Sequence, residues 1–193
     1  MSKEISKLKC PVCGNNSLRV VLVENEIPYF GKVVISSSVC EICGYKLNDV
    51  FSVETREPLE YKLFVENEED LMIRVVKSSS ATIVIPDLGL KIEPGPLSQG
   101  YVSNVEGVLR RIEDVFRGQV TVLEGKKKEK MKTLLKKLEK MIAGKEKFVL
   151  IIKDPLGNSA IISQKVKKRK LTKKEIENLK TGYLVLDISQ NRK

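Results

Sequence analysis

Two pairs of cysteines, each spaced C-x-x-C, place the strongest constraint on how this chain can fold. The first pair is Cys10 and Cys13, and the second is Cys40 and Cys43. A glycine directly follows each pair, which permits a tight turn whose backbone N–H groups approach the sulfur atoms. Zinc takes four thiolates in a tetrahedron, and two such turns supply them. We therefore expect one structural zinc ion, with no coordination position left open for catalysis.

Two other interpretations of the four cysteines are weaker. Local disulfides are disfavoured because the first residues lack the apolar stretch of a secretion signal. A redox C-x-x-C pair would need a thioredoxin-like βαβ context. The spacer between the pairs instead contains two strand-like segments, residues 18–24 and 32–39. The sequence therefore predicts a β-ribbon that carries the two cysteine turns.

Composition favours strands and excludes several kinds of chemistry. Valine and isoleucine number 38 against three alanines, a bias towards β-structure. The chain contains no histidine, which removes Ser-His and Cys-His catalysis together with histidine-ligated zinc. It carries neither a G-x-S-x-G nor a G-x-G-x-x-G motif, so we expect no enzyme and no small-molecule substrate. The apolar runs are too short to span a membrane, and we expect a cytoplasmic protein.

Charge is divided unevenly along the chain, whose net charge is +10. Residues 1–125 hold 14 Lys/Arg and 18 Asp/Glu, whereas residues 126–193 hold 21 and 7. A basic half suggests nucleic acid or an acidic protein as partner. It is also what a solvated lysine-rich surface looks like, and no aromatic residues interleave with these lysines as they do in many single-strand binders. The role of the basic segment Lys165–Lys174 stays open.

Beyond the ribbon, strand-like segments alternate with turns and with two segments whose apolar residues recur at helical spacing, each called an apolar stripe here. A capping box at Ser103 and Glu106 predicts a helix that ends near Gly118, and a second apolar stripe from Met131 ends at Gly144. Two stripes of similar length predict an antiparallel helical hairpin at about residues 103–144. A second capping box, Thr172 to Glu175, predicts a short helix. The remaining segments are predicted strands at 61–65, 72–77, 81–85, 147–153, 158–162 and 183–188.

Several motifs, taken in their order along the chain, resemble the ZPR-type zinc-finger family in its single-module archaeal form. Together they cover roughly residues 8–162. They are the two cysteine turns, Asp70-Leu71 with Arg74-Val75-Val76-Lys77-Ser78, Ile85-Pro86-Asp87-Leu88, Ile92-Glu93-Pro94-Gly95, Val105-Glu106-Gly107 and Asp154-Pro155-Leu156-Gly157-Asn158-Ser159. The eukaryotic members carry this module twice, whereas this chain carries it once.

The resemblance implies an α+β fold that is mostly β. It consists of an N-terminal four-cysteine zinc ribbon followed by a double-stranded β-helix-like domain, with the helical hairpin inserted. We place the zinc-ribbon domain at residues 1–58 and the β-rich domain with its basic C-terminal segment at 59–193. The matched family residues are cysteine ligands and turn or core positions, and none is a catalytic group.

Two functional hypotheses follow. By resemblance, the protein binds translation elongation factor 1-alpha and assists its folding or handling as a non-enzymatic chaperone or adaptor. The ribbon would then be a platform that presents hairpin tips such as residues 24–31. The alternative is a nucleic-acid-binding zinc-ribbon protein of translation or transcription that uses the basic C-terminal half. Salt separates the two, because phosphate-driven binding weakens steeply as salt rises.

Overall fold

The computed structural model describes residues 2–27, 31–52, 56–95 and 97–181. Within them, twelve strands form three antiparallel sheets, accompanied by four α-helices and a 3-10 turn at Pro86–Leu88. The strands are β1 (Ser2–Leu8), β2 (Leu18–Ile27), β3 (Gly31–Cys40), β4 (Lys46–Ser52), β5 (Leu59–Val65), β6 (Arg74–Lys77), β7 (Thr82–Ile85), β8 (Leu90–Ile92), β9 (Tyr101–Asn104), β10 (Phe148–Asp154), β11 (Ala160–Ile162) and β12 (Lys167–Lys170). The helices are α1 (Glu68–Leu71), α2 (Val105–Val122), α3 (Gly125–Ile142) and α4 (Lys173–Glu177).

The first sheet is a four-stranded ribbon in the order β1-β2-β3-β4. Its long hairpin pairs Leu18 with Cys40 at one end and Ile27 with Gly31 at the other. At about 3.3 Å per residue, nine steps separate these two ends by about 30 Å. The cysteine turns lie at the Leu18 end, whereas Ile27 is buried in the hydrophobic core. The predicted β-ribbon is confirmed, and it holds the cysteines away from the rest of the chain.

The other two sheets form a β-sandwich, a name used here for the five-stranded sheet β12-β5-β10-β7-β8 and the three-stranded sheet β11-β6-β9. Strand β10 shows why the sheets stack, because its side chains alternate between buried and half-buried positions. Leu150 and Ile152 from the larger sheet share one hydrophobic core with Val75 and Ile161 from the smaller sheet. The expectation of a double-stranded β-helix, or jelly-roll, is confirmed.

Helices α2 and α3 form the predicted antiparallel hairpin, but its boundaries differ from the prediction. Helix α2 is capped by Asn104, the last residue of β9, and not by Ser103, since the Asn104 Oδ1 accepts the Gly107 N–H at 2.8 Å. Gly118 lies inside α2, which continues to Val122. An exposed glycine costs a helix only about 1 kcal/mol, and the packing of the preceding residues of α2, which are buried up to Phe116, compensates.

Two charged segments adopt structure that the sequence did not indicate. The acidic run before β6 includes the one-turn helix α1, capped by Asn67, where a solvated turn and a strand beginning at residue 72 were predicted. The basic segment forms β12, an edge strand whose four side chains are all exposed. Lysines on an edge discourage pairing with another chain. The capping box at Thr172 is confirmed, whereas the predicted strand at 183–188 lies outside the described residues.

A buried carboxylate joins the two sheets of the sandwich at one end. Asp154, fully buried at the end of β10, accepts hydrogen bonds from the hydroxyls of Ser78 at 2.8 Å, Ser80 at 3.0 Å and Ser159 at 2.6 Å. Ser78 follows β6 of the smaller sheet and Ser80 precedes β7 of the larger one. Hydrogen bonds to a carboxylate are roughly twice as strong as neutral ones. This cluster therefore fixes how the two sheets meet.

The turn formed by Ser78, Ser79 and Ser80 also connects the ribbon to the sandwich. Ser79, between the two inward-facing serines, donates both its N–H and its hydroxyl to the carboxylate of Asp49 on β4. Nearby, the Gly100 N–H donates to the Asn48 carbonyl at 3.0 Å, and Val50 is buried in the core. One three-residue serine turn thus connects all three sheets.

We predict that Asp154→Ala lowers the free energy of unfolding by about 3–5 kcal/mol, because it removes the one acceptor that three buried hydroxyls share. Thermal or urea unfolding followed by circular dichroism measures this change. The matched control is Asp114→Ala on the exposed face of α2, which we expect to stay within about 0.5 kcal/mol of wild type. Equal stability of the two variants would contradict the role given to Asp154.

Candidate metal centre and exposed surfaces

The four predicted cysteines meet at the outer end of the ribbon. All four sulfur atoms lie within 4.8 Å of one another. The Sγ–Sγ distance is 3.7 Å between Cys10 and Cys43, and also 3.7 Å between Cys13 and Cys40. A zinc ion with Zn–S bonds of about 2.3 Å has tetrahedral edges of about 3.8 Å. The sulfur atoms are therefore already spaced as a tetrahedral zinc ion requires.

The two cysteine turns have the same backbone geometry. The Gly14 N–H donates to the Cys10 carbonyl at 3.0 Å, and the Gly44 N–H donates to the Cys40 carbonyl at the same distance. Both glycines have positive φ, at 72° and 71°, which side chains with a Cβ adopt at a cost. The glycine after each C-x-x-C pair is thus required by the turn, as the sequence indicated.

Neighbouring donors favour the thiolate form. The backbone N–H of Cys43 and then the Ser17 hydroxyl lower the pKa of the Cys40 thiol to about 6. The Ser17 Oγ lies 3.0 Å from the Cys40 Sγ. The backbone N–H of Asn15 likewise lowers the pKa of Cys13. Because zinc binds the thiolate, these donors prepare Cys13 and Cys40 for the metal, whereas burial and the neighbouring thiols raise the pKa of Cys43 despite the Tyr45 backbone N–H that opposes the shift.

This donor set fits zinc in a closed structural site. It consists of four thiols, and four thiolates complete a tetrahedron without a water molecule. Cys10 and Cys40 are buried, with 1% of each residue exposed, whereas Cys43 is exposed. The arrangement is consistent with one zinc ion per chain. Such an ion holds the two turns together and leaves no position at which it could activate a substrate.

Each cysteine turn carries a large apolar side chain in solvent. Val12 and Ile42 occupy equivalent positions between their cysteines, and each is 65% exposed. The sequence analysis did not predict this surface. The signal was an apolar residue directly before the second cysteine of each pair. At the hairpin tip expected from sequence, residues 24–31, Glu24 to Glu26 are exposed and Ile27 is buried, and residues 28–30 lie outside the described part of the chain.

A basic surface lies on strands β5 and β12 of the sandwich. Phe64 on β5 is 42% exposed, and the ammonium groups of Lys62 and Lys167 lie 5.1 and 5.7 Å from its ring centre. The sequence gave no sign of this cluster, since about a hundred residues separate Phe64 from Lys167. Part of the basic segment is neutralised, because Arg169 pairs with Glu60 and Glu175 at 2.6 and 2.7 Å.

None of the helices in the described residues is long and apolar enough to cross a membrane. The amphipathic pair α2 and α3 instead buries one face of each helix in the core. The residues that they bury there include Val108, Leu109, Ile112, Phe116, Leu138 and Met141.

Comparison with known proteins agrees with this geometry. The ZPR1 zinc-finger domain matches residues 4–58, and the ZPR1 jelly-roll domain matches residues 69–182. A ZPR1-like protein of Methanocaldococcus jannaschii is 44% identical, over 96% of this chain and 95% of its own length. One of Pyrococcus horikoshii is 46% identical, over 96% of this chain and 86% of its own length.

Eukaryotic relatives are longer. The fission yeast protein named zinc finger chaperone zpr1 is 33% identical over 78% of this chain, which spans 34% of that relative. The mouse and human relatives are named zinc finger protein ZPR1. The four-cysteine ribbon, the jelly-roll and these similarities together show that the chain belongs to the ZPR1 zinc-finger protein family.

Proposed function

We propose that Cys10, Cys13, Cys40 and Cys43 bind one zinc ion whose role is structural. The sulfur spacing and the chemistry of the donors support this assignment. We also propose that residues 1–58 and 59–193 are two domains, which the separate matches to a zinc-finger and a jelly-roll domain support. They share an interface through Asp49 and Val50, so metal loss would act mainly on the outer end of the ribbon.

We further propose that the protein is a non-enzymatic binding protein of the cytoplasm, a chaperone or adaptor whose partner is translation elongation factor 1-alpha. The observation that carries this proposal is the pair of exposed side chains Val12 and Ile42 on the metal-held turns. Exposed apolar residues on a rigid support are typical of protein-binding surfaces. The chaperone name of the fission yeast relative supports the same class of function.

The fold provides the properties that such binding needs. Zinc would fix the two turns before contact, so little conformational entropy would be lost when a partner covers Val12 and Ile42. The helical hairpin of α2 and α3 adds a basic surface. Many lysines of α3 are exposed, and they attract an acidic partner and speed the encounter. A chaperone shifts its client only if it binds one conformer more tightly, and we propose that this is the incompletely folded one.

A specific observation favours a second candidate function, nucleic-acid binding. Phe64, with Lys62 and Lys167 beside it, combines a stacking surface with two cations, as proteins that bind single-stranded nucleic acids do. This surface lies on the sandwich rather than at the cysteine turns. Separate variants can therefore test the two candidate functions.

We predict that Cys40→Ser abolishes stoichiometric zinc and unfolds the outer ribbon, since structural zinc sites contribute about 10–16 kcal/mol of apparent binding energy. Metal analysis after gel filtration measures the zinc content, and near-native melting of the sandwich is expected to remain. The control is Ser17→Ala, which removes only the hydroxyl near Cys40 and should retain one zinc with about 10- to 100-fold weaker affinity. Full metal content in Cys40→Ser would contradict the ligand assignment.

We predict that Val12→Asp with Ile42→Asp weakens binding to purified elongation factor 1-alpha at least tenfold, because a charged group replaces each exposed apolar contact. Biolayer interferometry with the zinc-loaded protein measures the affinity. The matched control is Met72→Asp, since Met72 is also apolar and 66% exposed but lies on the sandwich. Equal binding by the wild type and the double variant would contradict the proposed surface.

The nucleic-acid alternative makes a different prediction. If it holds, labelled single-stranded RNA binds tightly at about 50 mM salt and loses most of its affinity by about 200 mM. Phe64→Ala should then weaken that binding about five- to a hundredfold, the value of one stacked base. We expect no such RNA binding, and we expect the protein to bind elongation factor 1-alpha in the same buffers. Tight, salt-sensitive RNA binding without factor binding would replace the first proposal by the second.

A further inference from the structure

A pocket of about 410 Å³ opens on the side of the sandwich, away from the cysteine turns. Its floor and walls come from the edge strand β8, the helix α2 and the loop before β9. The lining is mainly apolar, and it includes Leu90, Ile92, Leu97, Val108, Val115 and Phe116. Leu97 and Val115, at 67% and 62% exposed, keep large apolar surfaces in solvent. This much exposed apolar surface at a concave site indicates binding.

Two cations stand at one side of this apolar space. The Lys77 ammonium and the Arg111 guanidinium lie 5.8 and 4.4 Å from the centre of the same ring, that of Tyr101. Among the described residues, neither cation has a carboxylate within ion-pair distance. Other basic groups of α2 do have such partners, since Arg110 and Arg117 both pair with Glu113. Arg111 therefore brings an unpaired positive charge to an apolar surface, and Lys77 adds a second cation that the carboxylates of Asp154 and Asp49 compensate only from outside ion-pair distance.

Lys77 is the more buried of the two cations. It is 5% exposed, and its ammonium donates to the Ser78 carbonyl at 2.8 Å. Its other two contacts, to the Ser98 hydroxyl and the Gln99 carbonyl, are long at 3.4 and 3.5 Å. Burial lowers the pKa of Lys77 to about 8, although the charges of Asp154 and Asp49 oppose this shift. A buried ammonium usually has a paired anion, and a carboxylate in the pocket would provide one.

The backbone at the pocket edge adds a third feature. Strand β8 is the outermost strand of its sheet and pairs with β7 on one side. In the part of the chain that the structure describes, no strand pairs with its outer side. An unpaired edge offers backbone N–H and carbonyl groups to an extended segment, with side-chain pockets beside it for specificity. Leu90 and Ile92 place the pocket beside this edge.

We propose that this pocket binds an extended peptide segment of a partner protein, one that carries large apolar side chains and one carboxylate. The apolar side chains fill the space between β8 and α2, the carboxylate pairs with Lys77 and Arg111, and the peptide backbone adds to the edge of β8. A purely apolar ligand would leave both cations unpaired. A fatty acid would satisfy the cations but not the strand edge.

The inference goes beyond the proposed function, because it concerns a second surface and does not depend on which protein supplies the peptide. Its test uses a synthetic peptide, so its failure and failure to bind elongation factor 1-alpha are separate results. The probe is a fluorescein-labelled, acetylated and amidated peptide, Gly-Leu-Val-Leu-Asp-Leu-Gly. Fluorescence anisotropy measures its binding to the zinc-loaded full chain, and a peptide with Asn in place of Asp is the matched ligand.

We expect the Asp peptide to bind at least tenfold more tightly than the Asn peptide. Arg111→Gln should remove most of that preference, whereas Arg110→Gln should leave it unchanged, because Arg110 pairs with Glu106 and Glu113 on α2. Val115→Asp should weaken binding of the Asp peptide at least tenfold. Val122→Asp, at an equally exposed position of α2 outside the pocket, should not.

Arg111 and Val115 are both exposed, so these variants are expected to fold, and an unchanged melting temperature checks this. Equal binding of the Asp and Asn peptides would overturn the role of the cations. Unchanged binding by Val115→Asp would overturn the location. Binding of dodecanoate at the pocket without binding of either peptide would identify a lipid chain as the occupant and overturn the proposal.

Discussion

The turn of three serines, Ser78 to Ser80, holds the architecture together, because its side chains alternate between two carboxylates. Ser78 and Ser80 point to Asp154 within the sandwich, and Ser79 points outward to Asp49 on the ribbon. A buried carboxylate is costly unless several donors satisfy it, so each aspartate requires the turn in one conformation. The relative placement of the three sheets follows from this polar joint as well as from the hydrophobic core that they share.

This polar joint explains how the sandwich holds a long ribbon by one end. The ribbon contacts the sandwich near Asp49 and buries Ile27 and Val33 there, which anchors one end of its hairpin. The other end, about 30 Å away, has little core of its own and depends on the four sulfur atoms. Metal and carboxylates thus stabilise opposite ends of the same sheet, and a change at one end need not propagate to the other.

Much of this could be predicted from sequence, where a signal was local. The cysteine turns follow from spacing and glycines, and the Thr172 cap follows from a four-residue motif. The predictions that were wrong concern segments whose structure depends on contacts with residues far away in the sequence. The basic residues of β12 form a strand because β5 offers a free edge, and Gly118 stays helical because the part of α2 before it packs in the core. Asp154 could be located as a turn residue, but not as the acceptor of serines more than seventy positions away.

The same limit applies to the surfaces that carry function. Composition showed that lysines were abundant, but only the fold distinguishes those that are neutralised, such as those beside acidic groups on α3, from those that lack a partner in the described chain. Lys132 has Glu129 at 2.8 Å, whereas Lys77 donates hydrogen bonds only to neutral oxygens, although the charges of Asp154 and Asp49 act on it. A cation paired on its own helix contributes mainly to solubility and long-range attraction. A buried cation beside apolar side chains selects for a ligand that combines both properties. The exposed apolar residues at the cysteine turns and the pocket beside β8 therefore make different demands on a partner, and a protein client that meets both would be held at two separate places.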